Sequence, residues 1–187
     1  KKYIYSTKNT KWFNNDGIKM SIQKNIQKIK KEIQGSELIV VTKKQLINDM
    51  KTIYDIGERK FGENRVNDIL IKKALLPDDI EWHMIGHLQT NKVKLITPFI
   101  NMIQSVDSIK LLNKINECGK KDNRIIKCLI QIKITEEITK YGFSEKEGVE
   151  LLNSNYQKKY RYVNIKGVMG MASFTANIEK VESEFKN

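Results

Sequence analysis

The chain has 187 residues, 40% of them apolar and 30% charged, a balance that suits one soluble globular domain with a real core and excludes a disordered or fibrous polymer. Lysine and arginine outnumber the acids by 34 to 22, giving a net charge of +12, yet only Arg59, Arg65, Arg124 and Arg161 are arginines. A lysine excess without forked guanidinium donors favours solvated helix faces over a nucleic-acid surface, and the longest apolar runs fall well short of the roughly 20 residues that cross a bilayer.

The opening stretch "KKYIYSTKNTKWFNNDG" has neither the apolar core nor the cleavage site of a secretory signal, and no initiator methionine. Residues 1–17 are therefore expected to form an extension, the chain to begin inside a longer product, and residues 18–187 to form a single domain. Cys118 and Cys128 stand in separate elements without metal-type spacing, which suits free buried thiols, a reducing compartment and a cytoplasmic location.

In chain order, Ile22, Ile26, Ile29 and Ile33 recur at helical spacing, with Gly35 as a stop. "ELIVVT" follows, an unbroken apolar and largely β-branched run of the kind found in strands buried on both faces of a parallel sheet. "LINDMKTIYDIG" reads as a helix ending at Gly57, "KFGEN" as a short strand and its loop, and "RVNDILIKKALL" as a helix closed by Pro77. "EWHMIG" is the third strand, "QTNKVKLI" a helix ended by Pro98, and "INMIQSVD" the fourth strand. "SIKLLNKINECG" is a helix with Ser108 at its start and Gly119 near its end, and "RIIKCLIQIKI" is the fifth strand. Ser144 and Glu147 make an S-x-x-E capping box for the next helix. "NIKGVMGMASF" is the sixth strand, and "NIEKVESEFKN" opens a further helix.

Strict alternation of strand and helix signals a parallel α/β fold. Six units fit an open doubly wound sheet, whereas a closed (β/α)8 barrel needs two more, and the pattern alone does not choose. No G-x-G-x-x-G follows the first strand, which weakens the dinucleotide-binding version of the open sheet.

In either architecture function collects at the C-terminal ends of the strands. Those ends carry Thr42 and Lys43; Gly62, Glu63 and Asn64; His83, Gly86 and His87; Ser105 and Asp107; Lys140 and Gly142; and Met169 to Ser173. Lys43 follows a buried strand directly. An amine beside the core is desolvated and becomes a nucleophile toward an aldehyde, although a solvated strand end is the commoner use of lysine in so lysine-rich a chain. His83 reads as a core histidine on its strand. His87, at the start of a loop, suits either acid-base work or the surface. Glu63 and Asn64 fit a polar site or a helix N-cap equally. Neither histidine has a cysteine or carboxylate at ligand spacing, so no metal site is expected.

"VVTKK", "FGENRVND", "EWHMIGHLQTNKVK", "IQSVDS", "LIQIKITEEITKYGF" and "IKGVMGMASF" together resemble, in order and spacing, the pyridoxal phosphate homeostasis protein family, over about Ser36 to Phe174. This family is similar to the N-terminal barrel of alanine racemase. The resemblance implies a single (β/α)8 TIM barrel of the fold-type-III kind, with pyridoxal 5′-phosphate at its C-terminal mouth. The cofactor would be held as a Schiff base on Lys43, with Asn64, His83, Gly86 and Met169 lining its site. It further implies a monomer and a carrier without catalytic residues that supplies apoenzymes requiring the cofactor. The alternative is an amino-acid racemase or a related enzyme of the same fold type. Gln45 and Leu46 stand where the family often has proline, and "TKYG" at Thr139–Gly142 replaces "SKHG". The family's last two strands, which clamp the phosphate, have no counterpart before Asn187, so the full product is expected to continue.

Overall fold

The computed structural model describes residues 3–6, 15–33, 35–135 and 141–186. It divides into two compact units, Lys1–His83 and Met84–Asn187.

In the first unit the isoleucine stripe lies on helix α1 (Asn15–Glu32) and the turn after it. Ile22 is buried and Ile26, Ile29 and Ile33 are half-buried, while the intervening Gln23, Lys24 and Asn25 are exposed. Strand β2 (Glu37–Val41) runs parallel to β3 (Lys60–Glu63), with Val40 opposite Phe61. Within the stretch expected as an extension, Tyr3–Ser6 forms strand β1, parallel to β2 from Tyr3 opposite Glu37 to Ser6 opposite Val40. Helix α2 (Ile47–Asp55) buries Met50 and Ile53, and α3 (Val66–Lys73) buries Val66, Ile69 and Lys72. Phe61, whose side chain shares this core with Ile39, meets Trp82 edge-on at 6.1 Å, a favourable aromatic geometry. Trp82 belongs to strand β4 (Glu81–Met84), whose Glu81 N–H donates to the Arg59 carbonyl at 2.8 Å.

In the second unit a short 3-10 turn (Thr90–Lys92) leads into α4 (Val93–Ile96). Strand β5 (Met102–Val106) is buried at all five positions, as a parallel strand covered on both faces must be. It runs parallel to β6 (Ile126–Ile132), and β6 runs parallel to β7 (Val163–Gly170). Helix α5 (Ile109–Lys121) is capped by the Ser108 hydroxyl, which accepts from the Leu111 N–H. Helix α6 (Glu145–Asn153) carries the expected capping box, and accepting from Ser144 holds the Glu147 carboxyl below its usual range. A one-turn α7 (Tyr156–Lys159), not legible from the pattern, precedes β7, and α8 (Ile178–Lys186) closes the described chain. Cys118 and Cys128 are free and buried, and burial pushes both thiols up, away from thiolate chemistry at neutral pH.

Gly119 stands near the end of its helix, as expected, but not as its cap. It sits inside α5, whose C-cap is Asp122, because the chain packs too closely there for any side chain. A Cβ on Gly119 would lie 2.8 Å from the Arg124 carbonyl oxygen and 3.0 Å from that of Tyr162. Alanine normally gains about 1 kcal/mol over glycine inside a helix, but overpacking of this kind costs about 1–3 kcal/mol. Gly119→Ala is therefore expected to lower the urea midpoint at unchanged slope, where helix propensity alone would raise it.

Candidate functional site

In the first unit the candidate residues begin where β2 leaves the core. Thr42 is fully buried and its N–H donates to the Gly62 carbonyl at 3.0 Å. The chain then turns, and the Gln45 N–H returns to the Thr42 carbonyl at 3.0 Å, which puts Lys43 and Lys44 at the two central positions. Lys44 takes φ +61°, a left-handed conformation that costs an L-residue about 1–2 kcal/mol. Lys43 is exposed and makes no hydrogen bond or ion pair among the described residues. Of the two readings left open for Lys43, a desolvated amine and a solvated strand end, the described chain shows the second. Burial ends at Thr42, and the turn carries the next side chain out to solvent.

A buried polar network holds this turn from inside. The Lys72 ammonium donates to the Thr42 carbonyl at 2.7 Å and to Glu63 Oε1 at 2.6 Å, and the Thr42 hydroxyl donates to the same carboxylate oxygen at 2.6 Å. The Lys72 side chain is 9% exposed and that of Glu63 0%. Glu63 Oε2 is also buried, and it accepts nothing among the described residues. Asn64 follows, half-buried in a bend, while Arg65 and not Asn64 takes the N-cap position of α3, without a side-chain cap. His83 is 1% exposed, as a core histidine would be. Lys72 and its partners were not anticipated. Their signal is a lysine three residues after Ile69 on the apolar stripe of α3, where a hydrophobe would ordinarily stand.

The second unit contributes its own strand ends. The carbonyl of Gly86, itself half-buried, accepts from the Ser105 hydroxyl at 2.5 Å. His87 Nδ1 donates to Asp107 Oδ2 at 2.7 Å, and the Tyr141 ring stacks on the imidazole at 3.9 Å. The carboxylate partner of His87 therefore comes from 20 residues away, off the end of β5, a pairing that spacing did not reveal. Gly142 takes φ +145°, and a Cβ there would lie 2.7 Å from the Lys133 backbone nitrogen, so only glycine fits. Met169 is half-buried on β7, opposite Gln131 of β6. Ser173 is held by Glu184, its N–H and hydroxyl each donating to one carboxylate oxygen at 2.7 and 2.6 Å. Thr139 and Lys140 lie outside the described residues. A cleft of about 490 Å³ opens beside Asp107 and Ser108, with Glu147, Glu150, Lys159 and Tyr160 on its walls.

Comparison with known proteins gives this arrangement its family. The model of the alanine racemase N-terminal domain matches residues 19–187, so the fold is that domain's parallel α/β barrel fold. Among solved structures, PipY of Synechococcus elongatus PCC7942 with PLP bound is similar at 26% identity and a TM-score of 0.77, over 88% of this chain and 76% of that one. The pyridoxal phosphate homeostasis protein of Buchnera aphidicola is 30% identical over 178 residues, 91% of this chain and 74% of its own. That of Haemophilus influenzae is 28% identical over 181 residues, 89% of this chain and 76% of its own. The chain belongs to the pyridoxal phosphate homeostasis protein family, within the alanine racemase N-terminal domain family.

The strained turn yields a direct expectation. A β-branched residue at a left-handed position is more strained than lysine, whereas asparagine tolerates it. Lys44→Val is expected to lower stability by about 1 kcal/mol, read as a reduced urea midpoint at unchanged slope, with Lys44→Asn near the parent.

Proposed function

We propose that the chain binds pyridoxal 5′-phosphate and acts in vitamin B6 homeostasis, holding the cofactor as a Schiff base on Lys43 without catalytic turnover. The observation that carries this reading is a primary amine at the C-terminal end of a buried parallel strand, in a chain of this family, displayed on a turn that the fold maintains at a cost in backbone strain. The solved structure of PipY, 26% identical, with PLP bound supports it.

The residues present fit such a group. Pyridoxal phosphate supplies an aldehyde that a primary amine can add to with loss of water, on an aromatic ring bearing an anionic phosphate. Lys43 offers an unpaired amine reachable from solvent, and Lys44 beside it adds a second positive charge. Asn64, directly after the Glu63 carboxylate, supplies an amide able both to donate and to accept. His83, Gly86 and Met169 complete the proposed set of cofactor-contacting residues. This reading rests on position, accessibility in the described chain and family.

Capture and release need only amine addition and its reversal at Lys43. Racemisation would additionally need a positioned acid or base on each face of the reacting carbon. The carrier reading therefore separates binding from proton transfer, and apoenzymes that require the cofactor are its recipients. On this reading the chain works as a monomer in the cytoplasm.

Purified protein incubated with pyridoxal phosphate is expected to gain a visible absorbance band that is lost in Lys43→Ala. A wild type that stays colourless would end the proposal. With an α-deuterated amino acid present, no enzyme-like loss of deuterium is expected. Rapid washout would replace the carrier with a racemase-type enzyme.

A further inference from the structure

We infer that the buried Thr42–Glu63–Lys72 network is a positioning device for Lys43, setting the turn from which the amine is presented. The inference deepens the proposed function and rests on it for the role of the amine, but the mechanical part stands on geometry alone.

Three contacts converge on the residue immediately before Lys43. The Thr42 N–H is tied to Gly62, its hydroxyl to Glu63 Oε1 and its carbonyl to the Lys72 ammonium. The same carbonyl also accepts the Gln45 N–H that closes the turn. Every polar atom of Thr42 is thus engaged, three of the four engagements reaching residues 20 or more positions away. The peptide between Thr42 and Lys43 cannot rotate without breaking the Lys72 contact, because its carbonyl oxygen is the acceptor. The strain at Lys44 is set at the next peptide, between Lys43 and Lys44, so the clamp fixes the residue from which the strained turn departs and to which the Gln45 N–H returns. A turn with this strain, left to itself, would choose another conformation and carry the Lys43 side chain with it.

The charges explain why the clamp is rigid. Glu63 and Lys72 are buried together, so neither can swing into water without stranding the other. Glu63 Oε1 receives two donors, while buried Oε2 receives none among the described residues. A carboxylate filled on one side in this way is fixed in orientation by Thr42 and Lys72 and keeps free acceptor capacity at the end of β3, next to Asn64. Lys72 and Glu63 act through Thr42 and are positioning residues, since neither is exposed to an incoming molecule.

Four variants of the full chain test this: Thr42→Val, which keeps the shape and removes the hydroxyl; Thr42→Ser, which keeps the hydroxyl; Lys72→Met; and the charge-neutral double variant Glu63→Gln with Lys72→Met. The first measurement needs no cofactor: amide hydrogen exchange at Gln45, whose N–H bonds to the Thr42 carbonyl, compared with amides of α5 as an internal reference. Exchange at Gln45 is expected to quicken about tenfold, the scale of one lost buried hydrogen bond, in Thr42→Val and in the double variant, and to stay unchanged in Thr42→Ser. Unchanged exchange in both altered proteins would overturn the clamp, whatever the cofactor does. If Lys72→Met does not fold, the double variant, which strands no charge, supplies the result.

The second measurement is pyridoxal phosphate titration followed by borohydride reduction and peptide mass mapping. Apparent affinity at Lys43 is expected to fall about tenfold wherever Gln45 exchange quickens, and to be restored in Thr42→Ser. Undiminished trapping at Lys43 despite a loosened turn would overturn the positioning role. Absence of trapping in the wild type would fault the proposed function and leave the exchange result to judge the clamp by itself.

Discussion

A carboxylate at the end of β3 and an ammonium from helix α3, shut away together, are the constraint on which the first unit's polar chemistry depends. Removing either partner of such a pair costs about 3–5 kcal/mol, since it leaves an uncompensated charge in the interior. Replacing both with apolar groups is often neutral, so the pair adds little to net stability compared with a hydrophobic filling. What it adds is direction. Glu63 and Lys72 fix Thr42 by its hydroxyl and its carbonyl, and the backbone that follows has one way to go. The left-handed Lys44 belongs to the same logic, since a strained residue persists only where its surroundings over-determine it.

The strands are suited to this because so little of them is negotiable. Ile39 and Phe61 are fully buried in the first unit, and all five residues of β5 in the second. Parallel strands covered on both faces carry mostly apolar side chains along their length, so charged groups gather where the strands stop. Each unit shows the same habit independently. Thr42 meets Glu63 at the ends of β2 and β3, and His87 meets Asp107 just beyond the ends of β4 and β5. The partner is supplied by the next strand in the chain in both cases, because neighbours in sequence are neighbours in a parallel α/β fold.

That rule separates what was legible in the sequence from what was not. The six expected strands are present, as β2 to β7, because apolar runs bounded by turn residues record burial directly. The caps at Ser108 and Ser144 were legible for a similar reason, since a cap is a local hydrogen bond written over four residues. Pairings between strand ends were not legible, because they join residues about 20 apart whose meeting depends on register. Gly119 shows the same limit: as a letter it reads like a helix stop, and only the closeness of Tyr162, far along the chain, explains a glycine inside α5. Lys43 was placed correctly at a strand end, but the sequence left open whether its amine is desolvated or solvated, and the described chain shows it exposed. Periodicity reports which strand residues are buried and says nothing of the direction a turn takes after them.

The exposure of Lys43 bears on what kind of protein can use it. An enzyme that directs proton transfer gains from a buried, water-excluded amine, since electrostatic effects strengthen as solvent leaves. A carrier has the opposite need: its amine must meet an incoming aldehyde and give it up again, and each exchange passes through water. A lysine on a turn held from below is suited to that need where the turn is stiff enough that accessibility does not become disorder. With Lys43 proposed as the reactive group, the stiffness lies one residue earlier, in buried Thr42, and the amine itself stays free among the described residues. On the proposed reading, the same chain segment is rigid where it is polar and buried, and available where it is charged and exposed.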